Sequence, residues 1–257
     1  MGSVAYGAGG GADEAAQTLT YTVTGVPAAS LGTITLSTGT VVTASTTYTL
    51  AEIQGMKFVA AANANGSGTF SYSVTDSGGT ANGGVNTITE SVALTVNAVN
   101  DAPTGTDKTI TILEDTGYTF STGDFGFGDT NDSPANTLLA VKITTVPVAG
   151  TLRLSGVAVS AGQMISAGSI GNLVFTPAAN GNGLGYGTFT FQVQDSGGTA
   201  NGGVDLDQSA NTITLNVTAV NDAPTGTDKT VTTLEDTEYV LSVSDFGFGD
   251  TNESPEI

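Results

Sequence analysis

The stretch FTFQVQDSGGTANGGV, residues 189–204, decides the fold class of this chain. Its first half alternates the apolar residues Phe189, Phe191 and Val193 with polar ones, which is the period of a β-strand with one buried face. Its second half is a run of Ser, Gly, Thr and Asn, which favours a turn. The phrase DSGGTANGGV also occurs at residues 76–85, so this strand and turn belong to a repeat.

A second phrase, NDAPTGTDKT, extends the repeat in both directions, because it occurs at residues 100–109 and again at 221–230. The phrases predict three parts: residues 1–99 are a repeat lacking its first strands, 100–220 are a complete repeat, and 221–257 are the first strands of a third. The complete repeat holds about seven short alternating segments between Gly- and Pro-rich turns, which is typical of a Greek-key β-sandwich. We therefore predict an all-β chain of tandem Ig-like sandwiches.

Composition excludes several classes of function. The 257 residues include no His, Cys or Trp, which excludes a thiol nucleophile, a Ser-His-Asp triad and a zinc finger. Asp and Glu number 24 against 5 Lys and Arg, a net charge of −19 that repels nucleic acid. No apolar run is long enough to insert into a membrane. Catalytic carboxylates are open by residue type, but no pattern places two of them in a cleft, so we predict no enzyme.

Five phrases of the repeat point to a known family: NDAP at 100–103, LEDT at 113–116, DFGFGD at 124–129, FTPAAN at 175–180 and FQVQDSGG at 191–198. Through them the unit resembles the cadherin-like repeats of large bacterial calcium-dependent surface adhesins. The resemblance covers essentially the whole chain, with residues 1–99 matching a variant without its opening strands. It implies an extracellular module of the bacterial cell surface that extends or adheres, with neighbouring repeats and host or biofilm ligands as partners.

Oxygen-bearing side chains cluster around the start of each repeat, which by itself favours a calcium site. The clusters are Asn100-Asp101 and Asn221-Asp222, Glu114-Asp115 and Glu235-Asp236, and Asp129–Asp132 and Asp250–Glu253. Ca²⁺ takes six to eight oxygen ligands, and oxygen donors without His or Cys suit it better than a transition metal. Asp and Asn also favour turns, so Asn-Asp-Ala-Pro as a turn alone is the alternative.

The resemblance also implies which residues bind the calcium ions. They are the linker pair Asn100 and Asp101, the Asp-x-Asp position at Asp129 and Asn131, the strand-end Asp195, and Glu114, which would face the following junction with Asn221, Asp222, Asp250 and Asn252. Asn131 stands where the family has a second Asp. Ala98 stands where the family has a linker Asp, and the family's Asp-Arg-Glu motif has no counterpart here. We therefore expect one or two ions at each junction rather than three.

Three other features have simpler interpretations. We predict a solvated loop at Asp205–Asp207 and core packing for Asp124–Phe127. Lys108 and Lys229 precede Glu114 and Glu235 on predicted first strands, which raises a Lys–Asn isopeptide bond, although alternation also allows these lysines to face solvent.

The two ends of the chain are complementary in length, because residues 221–257 and residues 12–99 together are about as long as the 121-residue period of the repeat. One hypothesis is a filament subunit, in which residues 221–257 complete the N-terminal domain of the next copy head to tail. The alternative is an excerpt of a longer array. A carbohydrate-binding module is a distant third, since the chain has no Trp to stack on a sugar.

Overall fold

A computed structural model describes residues 7, 11 and 14–249 of the chain, and the regular elements of these residues are mostly β-strands, with few helical turns. The all-β prediction is confirmed. The chain divides into two compact units: the first holds the residues up to 99 together with 131–133, and the second holds the rest.

The described residues of the first unit form six strands and one short α-helix. They are β1 (Leu19–Gly25), β2 (Gly32–Thr35), β3 (Thr46–Tyr48), α1 (Leu50–Gln54), β4 (Lys57–Ala60), β5 (Gly66–Asp76) and β6 (Thr87–Val96). One sheet has the order β3-β1-β5-β6, and β2 pairs with β4 in a second. The core lies between them and includes Val23, Ile53 and Phe70, none of which is more than 1% exposed.

The second unit, whose residues 100–220 we call the complete unit, contains nine strands among the described residues. They are β7 (Lys108–Leu113), β8 (Tyr118–Thr119), β9 (Leu138–Ile143), β10 (Thr151–Leu154), β11 (Val157–Ala158), β12 (Met164–Ser166), β13 (Leu173–Thr176), β14 (Gly183–Asp195) and β15 (Asn211–Thr218). They form two sheets, with the orders β12-β9-β14-β15-β7 and β11-β10-β13-β8. Only the β15–β7 pair is described as parallel. The two sheets pack as a sandwich around the aromatic core that Phe125 and Phe191 share.

Strand β14 shows how the alternating sequence builds this core. Phe189, Phe191 and Val193 point inward and are buried, as their period of two predicts. The same period continues to the last residue of the strand, so Asp195 also points inward and is fully buried. The strand that fills the core therefore carries a carboxylate at its end.

Residues 221–249 follow β15 and contain no strand. They hold an isolated bridge between Thr225 and Gly249 and a 3₁₀ turn at Val243–Asp245. Residues 250–257, with Asp250 and Asn252, lie outside the described residues, and the division of the chain into three repeats stays a prediction.

Short 3₁₀ turns also occur at Ala81–Gly83, Thr122–Phe125, Ala167–Asn172 and Ala200–Gly202. Within the described part of the chain, no helix has the length and apolar character that crossing a membrane requires.

Candidate calcium site at the start of the complete unit

The centre of the candidate site is the Asp195 carboxylate. Its Oδ1 accepts a hydrogen bond from the backbone N–H of Gly197 at 2.8 Å, which is an Asx turn. The side-chain amide of Asn100 donates to Oδ1 and Oδ2 of Asp195 at 3.1 and 3.2 Å. The two predicted ligands are thus in direct contact across 95 residues of sequence.

Three oxygens converge on the Asn100 amide nitrogen. Besides the two carboxylate oxygens, the backbone carbonyl of Val204 accepts from it at 2.6 Å. The Asn100 Oδ1 in turn accepts from the Asn136 amide at 2.6 Å. Gly197 is required here, because a β-carbon at that position would overlap the Asn100 side chain. The amide nitrogen is therefore surrounded by three oxygen acceptors, and such a group of oxygens also attracts a small cation.

Asp129 approaches the same place from another loop. The bridge between Thr104 and Gly128, with N–H to O distances of 2.8 Å in both directions, holds Asp129 beside the linker that begins at Asn100. Asp129 Oδ2 accepts from the backbone N–H of Asn136 at 2.5 Å. Its Oδ1 is buried and has no hydrogen-bond partner among the described residues. A buried carboxylate oxygen without a partner is costly, so this atom points to a missing ligand.

The electrostatics of the cluster favour a cation. Burial raises the pKa of Asp195 above its ordinary value, and the nearby charges of Asp129 and Asp205 raise it further. The donors at Gly197 and Asn100 only partly offset these effects. Carboxylates that repel each other in a buried place are stabilised when a divalent ion binds between them.

The other two residues predicted for this cluster are placed differently. Asp101 is half-buried next to Asn100. Asn131 is exposed and belongs to the short segment that groups with the first unit. Among the described residues, no three Asp or Glu side chains converge as a group that could hold a metal ion. A site here would depend on amide and backbone oxygens as well as on carboxylates, and calcium binding stays a prediction.

The residues predicted for the following junction are not gathered in this way. Glu114 is buried, and its Oε1 and Oε2 accept from the Val220 backbone N–H at 2.6 Å and from the Asn182 amide at 3.0 Å. Asn221 is exposed, and its amide donates to the backbone carbonyl of Asp222 at 2.9 Å. Asp222 is half-buried. Glu114 therefore holds Val220, the residue before Asn221, through its backbone N–H.

Asp207 corrects the prediction of a solvated loop at residues 205–207. Its side chain is only 2% exposed. It accepts from the backbone N–H of Gly105 at 2.8 Å and from the Asn211 amide at 2.7 Å, and its other oxygen accepts from Ser209. The loop is therefore ordered by a buried carboxylate that ties the linker after Asn100 to strand β15.

Lys108 also has a partner that the sequence did not indicate. Its ammonium donates to Asp124 Oδ1 at 2.7 Å, rather than lying beside Glu114. Burial raises the pKa of Asp124, but Lys108 and the two donors of Ser121 outweigh burial and the pKa ends below its ordinary value. The geometry is that of an ion pair. Phe125, next to Asp124, is fully buried, as predicted.

Sequence reasoning missed Asn136, which bridges Asn100 and Asp129 with its side-chain and backbone N–H groups. Its position just before strand β9 was the available signal, because Asn favours the ends of strands and local hydrogen bonds. For Asp207 the signal was its spacing of two from Ser209, which suits an Asx turn.

Comparison with known proteins gives a match to one family model and several structural neighbours, two of which follow. Residues 100–207 match the family model described as the bacterial Ig domain. The human mucin-like protocadherin EC1-2 structure is 16% identical over 79% of this chain and 85% of its own, with a TM-score of 0.38. The Drosophila N-cadherin EC1-4 structure is 13% identical over 81% and 44%, with a TM-score of 0.36. No curated protein matches the chain.

Proposed function

We propose that this chain, whose residues 100–207 match the family model of the bacterial Ig domain, is an extracellular structural or adhesive module that binds calcium where the complete unit begins. Ig-like domains are typically non-enzymatic, and bacterial ones are usually found on the cell surface, which supports the general role. The proposal of calcium rests on one observation above all: the buried, unpartnered Oδ1 of Asp129 beside the Asn100–Asp195 contact.

The ion would be held by oxygens that already surround this place. Asp129 and Asp195 supply carboxylates, and the Val204 carbonyl supplies a backbone oxygen. Asn100 would supply Oδ1 after rotation of its amide, which exchanges a donor for an acceptor at nearly the same position. Asp101, half-buried beside them, is a further candidate. Since Asn100 opens the complete unit, a bound ion would order the chain segment that enters it.

Calcium binding is tested by isothermal titration and by thermal unfolding in Ca²⁺ and in excess chelator. Extracellular calcium modules bind with a Kd of about 10⁻⁴–10⁻³ M, so millimolar Ca²⁺ should raise the unfolding temperature of the complete unit. Asp129→Asn should remove this increase. Glu90→Gln removes the same charge from an exposed position on β6 and should retain it. An equal response of both variants to Ca²⁺ would refute the site and leave Asn100-Asp101 as a turn.

A second candidate function is head-to-tail assembly of copies into a filament. It is favoured by the apolar side chains that residues 231–248 leave exposed, including Leu234, Phe246 and Phe248. Contiguous exposed apolar surface is typical of an interaction site. Sedimentation velocity over a range of concentrations tests it, since a filament subunit grows into large species and deletion of 221–257 should abolish the growth. A monomer at every concentration would contradict assembly.

A further inference from the structure

Residues 225–249, which we call the C-terminal lobe, expose side chains whose counterparts in the complete unit are buried. They repeat residues 104–128 of the complete unit. In that unit Phe120 and Phe125 are 1% and 0% exposed, because both sheets cover them. Their counterparts in the lobe, Leu241 and Phe246, are 61% and 64% exposed. Among the described residues, the lobe therefore exposes side chains of the kind that its counterpart places in a core.

The lobe nevertheless holds the local structure of its counterpart. Thr225 and Gly249 exchange backbone hydrogen bonds, as Thr104 and Gly128 do. Asp245 accepts from Lys229, Tyr239 and Ser242, and Asp124 accepts from the corresponding three residues. These contacts are within the lobe, so its local structure is formed without a second sheet, and a preformed segment loses less entropy on association than a flexible one.

The first unit has two open strand edges that fit this lobe. In the complete unit β15 lies between β14 and β7, and β13 lies between β10 and β8. Their counterparts β6 and β4 each pair on one edge only within the described residues. Val92, Leu94 and Val96 of β6 are half-buried, whereas their counterparts on β15 are buried. Those counterparts are Ile213, Leu215 and Val217.

The complete unit supplies the template for how the two would fit. Strand β7 runs parallel to β15 with Ile110 opposite Leu215, and β8 pairs with β13 with Tyr118 opposite Phe175. Phe125 packs edge-on against Phe191 with ring centroids 4.9 Å apart.

We infer that the C-terminal lobe of one copy docks as a preformed piece on the first unit of a second copy, with its residues 229–234 parallel to β6 and Val231 opposite Leu94. In the same arrangement Tyr239 lies opposite Phe58 on β4, and Phe246 packs against Tyr72. This inference rests on the second candidate function and adds its partner surface and register. The occupant is a second copy because the pairing repeats one that the chain already makes inside its complete unit.

The absence of native Cys makes the register directly testable by disulfide trapping. Thr95 corresponds to Asn216, and Thr232 corresponds to Thr111, which lies opposite Asn216 in the complete unit. Neighbouring strands lie about 4.8 Å apart, which is within the Cα range of a disulfide. A position two residues out of register lies about 8 Å away, which is beyond it.

The experiment mixes two singly substituted full-length chains, so that only contact between copies can form the mixed disulfide. Thr95→Cys mixed with Thr232→Cys should give a disulfide-linked heterodimer under mild oxidation. The matched control, Thr95→Cys mixed with Thr230→Cys, should give at least tenfold less. Sedimentation velocity of the unmodified chain runs in parallel.

The outcomes separate the two levels of the proposal. Large species with trapping only in the expected register support both. Large species with equal trapping in both mixtures, or in neither, overturn the docking register and leave assembly standing. A monomer without trapping overturns both.

Discussion

A matched pair of substitutions, Phe125→Ala and Phe246→Ala, separates the core of the complete unit from the proposed contact between copies. The Phe125 ring is fully buried and packs edge-on against Phe191 and beside Phe120. Truncating a buried Phe to Ala costs about 3–5 kcal/mol, so Phe125→Ala should lower the free energy of unfolding of this unit by that amount. Phe246 is 64% exposed, and the same truncation in a dilute monomer should cost about 1 kcal/mol or less.

In the assembled state the expectation for Phe246 reverses. If the lobe docks as inferred, Phe246 becomes buried and its truncation costs the contact about 3–5 kcal/mol. At 1.4 kcal/mol for each factor of ten, the Kd between copies should rise by about 10²-fold to more than 10³-fold. Phe125→Ala, in contrast, should leave this Kd nearly unchanged as long as the complete unit stays folded.

Hydrogen exchange measured by mass spectrometry is the suitable assay for the monomer, because it resolves the two units where a single denaturation curve would merge them. Exchange of β14 amides in dilute solution reports the effect of Phe125→Ala. Sedimentation velocity at rising concentration reports the effect of Phe246→Ala. The reasoning is refuted if Phe246→Ala destabilises the dilute monomer as strongly as Phe125→Ala, or if it leaves the assembly of copies unchanged.

Four further outcomes are expected. Asp124→Asn should destabilise the complete unit by about 2 kcal/mol near neutral pH. Because the pKa of Asp124 in the folded state is lowered from 3.8, this difference in stability is present above pH 3.8 and should disappear as the pH falls through the folded pKa. Urea unfolding at several pH values measures it. Glu114→Ala leaves the Val220 N–H without its acceptor and should cost about 1–3 kcal/mol, with faster hydrogen exchange at Val220; unchanged exchange there would contradict the fastening role. Asp207→Ala should cost about 3 kcal/mol and release Gly105, whereas a solvated loop would tolerate it within about 0.5 kcal/mol in urea unfolding. Assembly measured by sedimentation should strengthen as salt rises, because a net charge of −19 makes copies repel each other, and a loss of assembly in salt would contradict an apolar contact.

Part of the candidate site followed from local sequence pattern. The alternation of Phe189, Phe191 and Val193 sets the inward register of β14, and continuing it by two residues places Asp195 in the interior. Side-chain direction in a strand depends only on the count of residues along it, so this information is local. Asn100 contacts Asp195, and Asn136 links Asn100 to Asp129, whereas Asn131 is exposed. That these residues bind calcium, as the resemblance to cadherin-like repeats implies, stays a prediction.

Other residues acquired their roles from partners far along the chain. The Asp207 carboxylate accepts from Gly105, which is 102 residues away, and Glu114 accepts from Val220, which is 106 residues away. The spacing of Asp207 from Ser209 indicates an Asx turn, but the residues near either acid do not indicate that its carboxylate is buried rather than solvated or bound to a metal. These assignments required the pairing of β15 with β7, which brings the distant segments together.

The sequence by itself determined the repeat, the β-sandwich class and the excess of acidic side chains, since these depend on residue identity and on a period of two. Only the tertiary structure decided which carboxylates accept from N–H donors, that Asp129 keeps a buried oxygen without a partner among the described residues, and which described strands pair on one edge only. Hydrogen-bond satisfaction and edge pairing depend on residues that are neighbours in space. When these neighbours are about 100 residues apart in the chain, their contact produces no local pattern in the sequence.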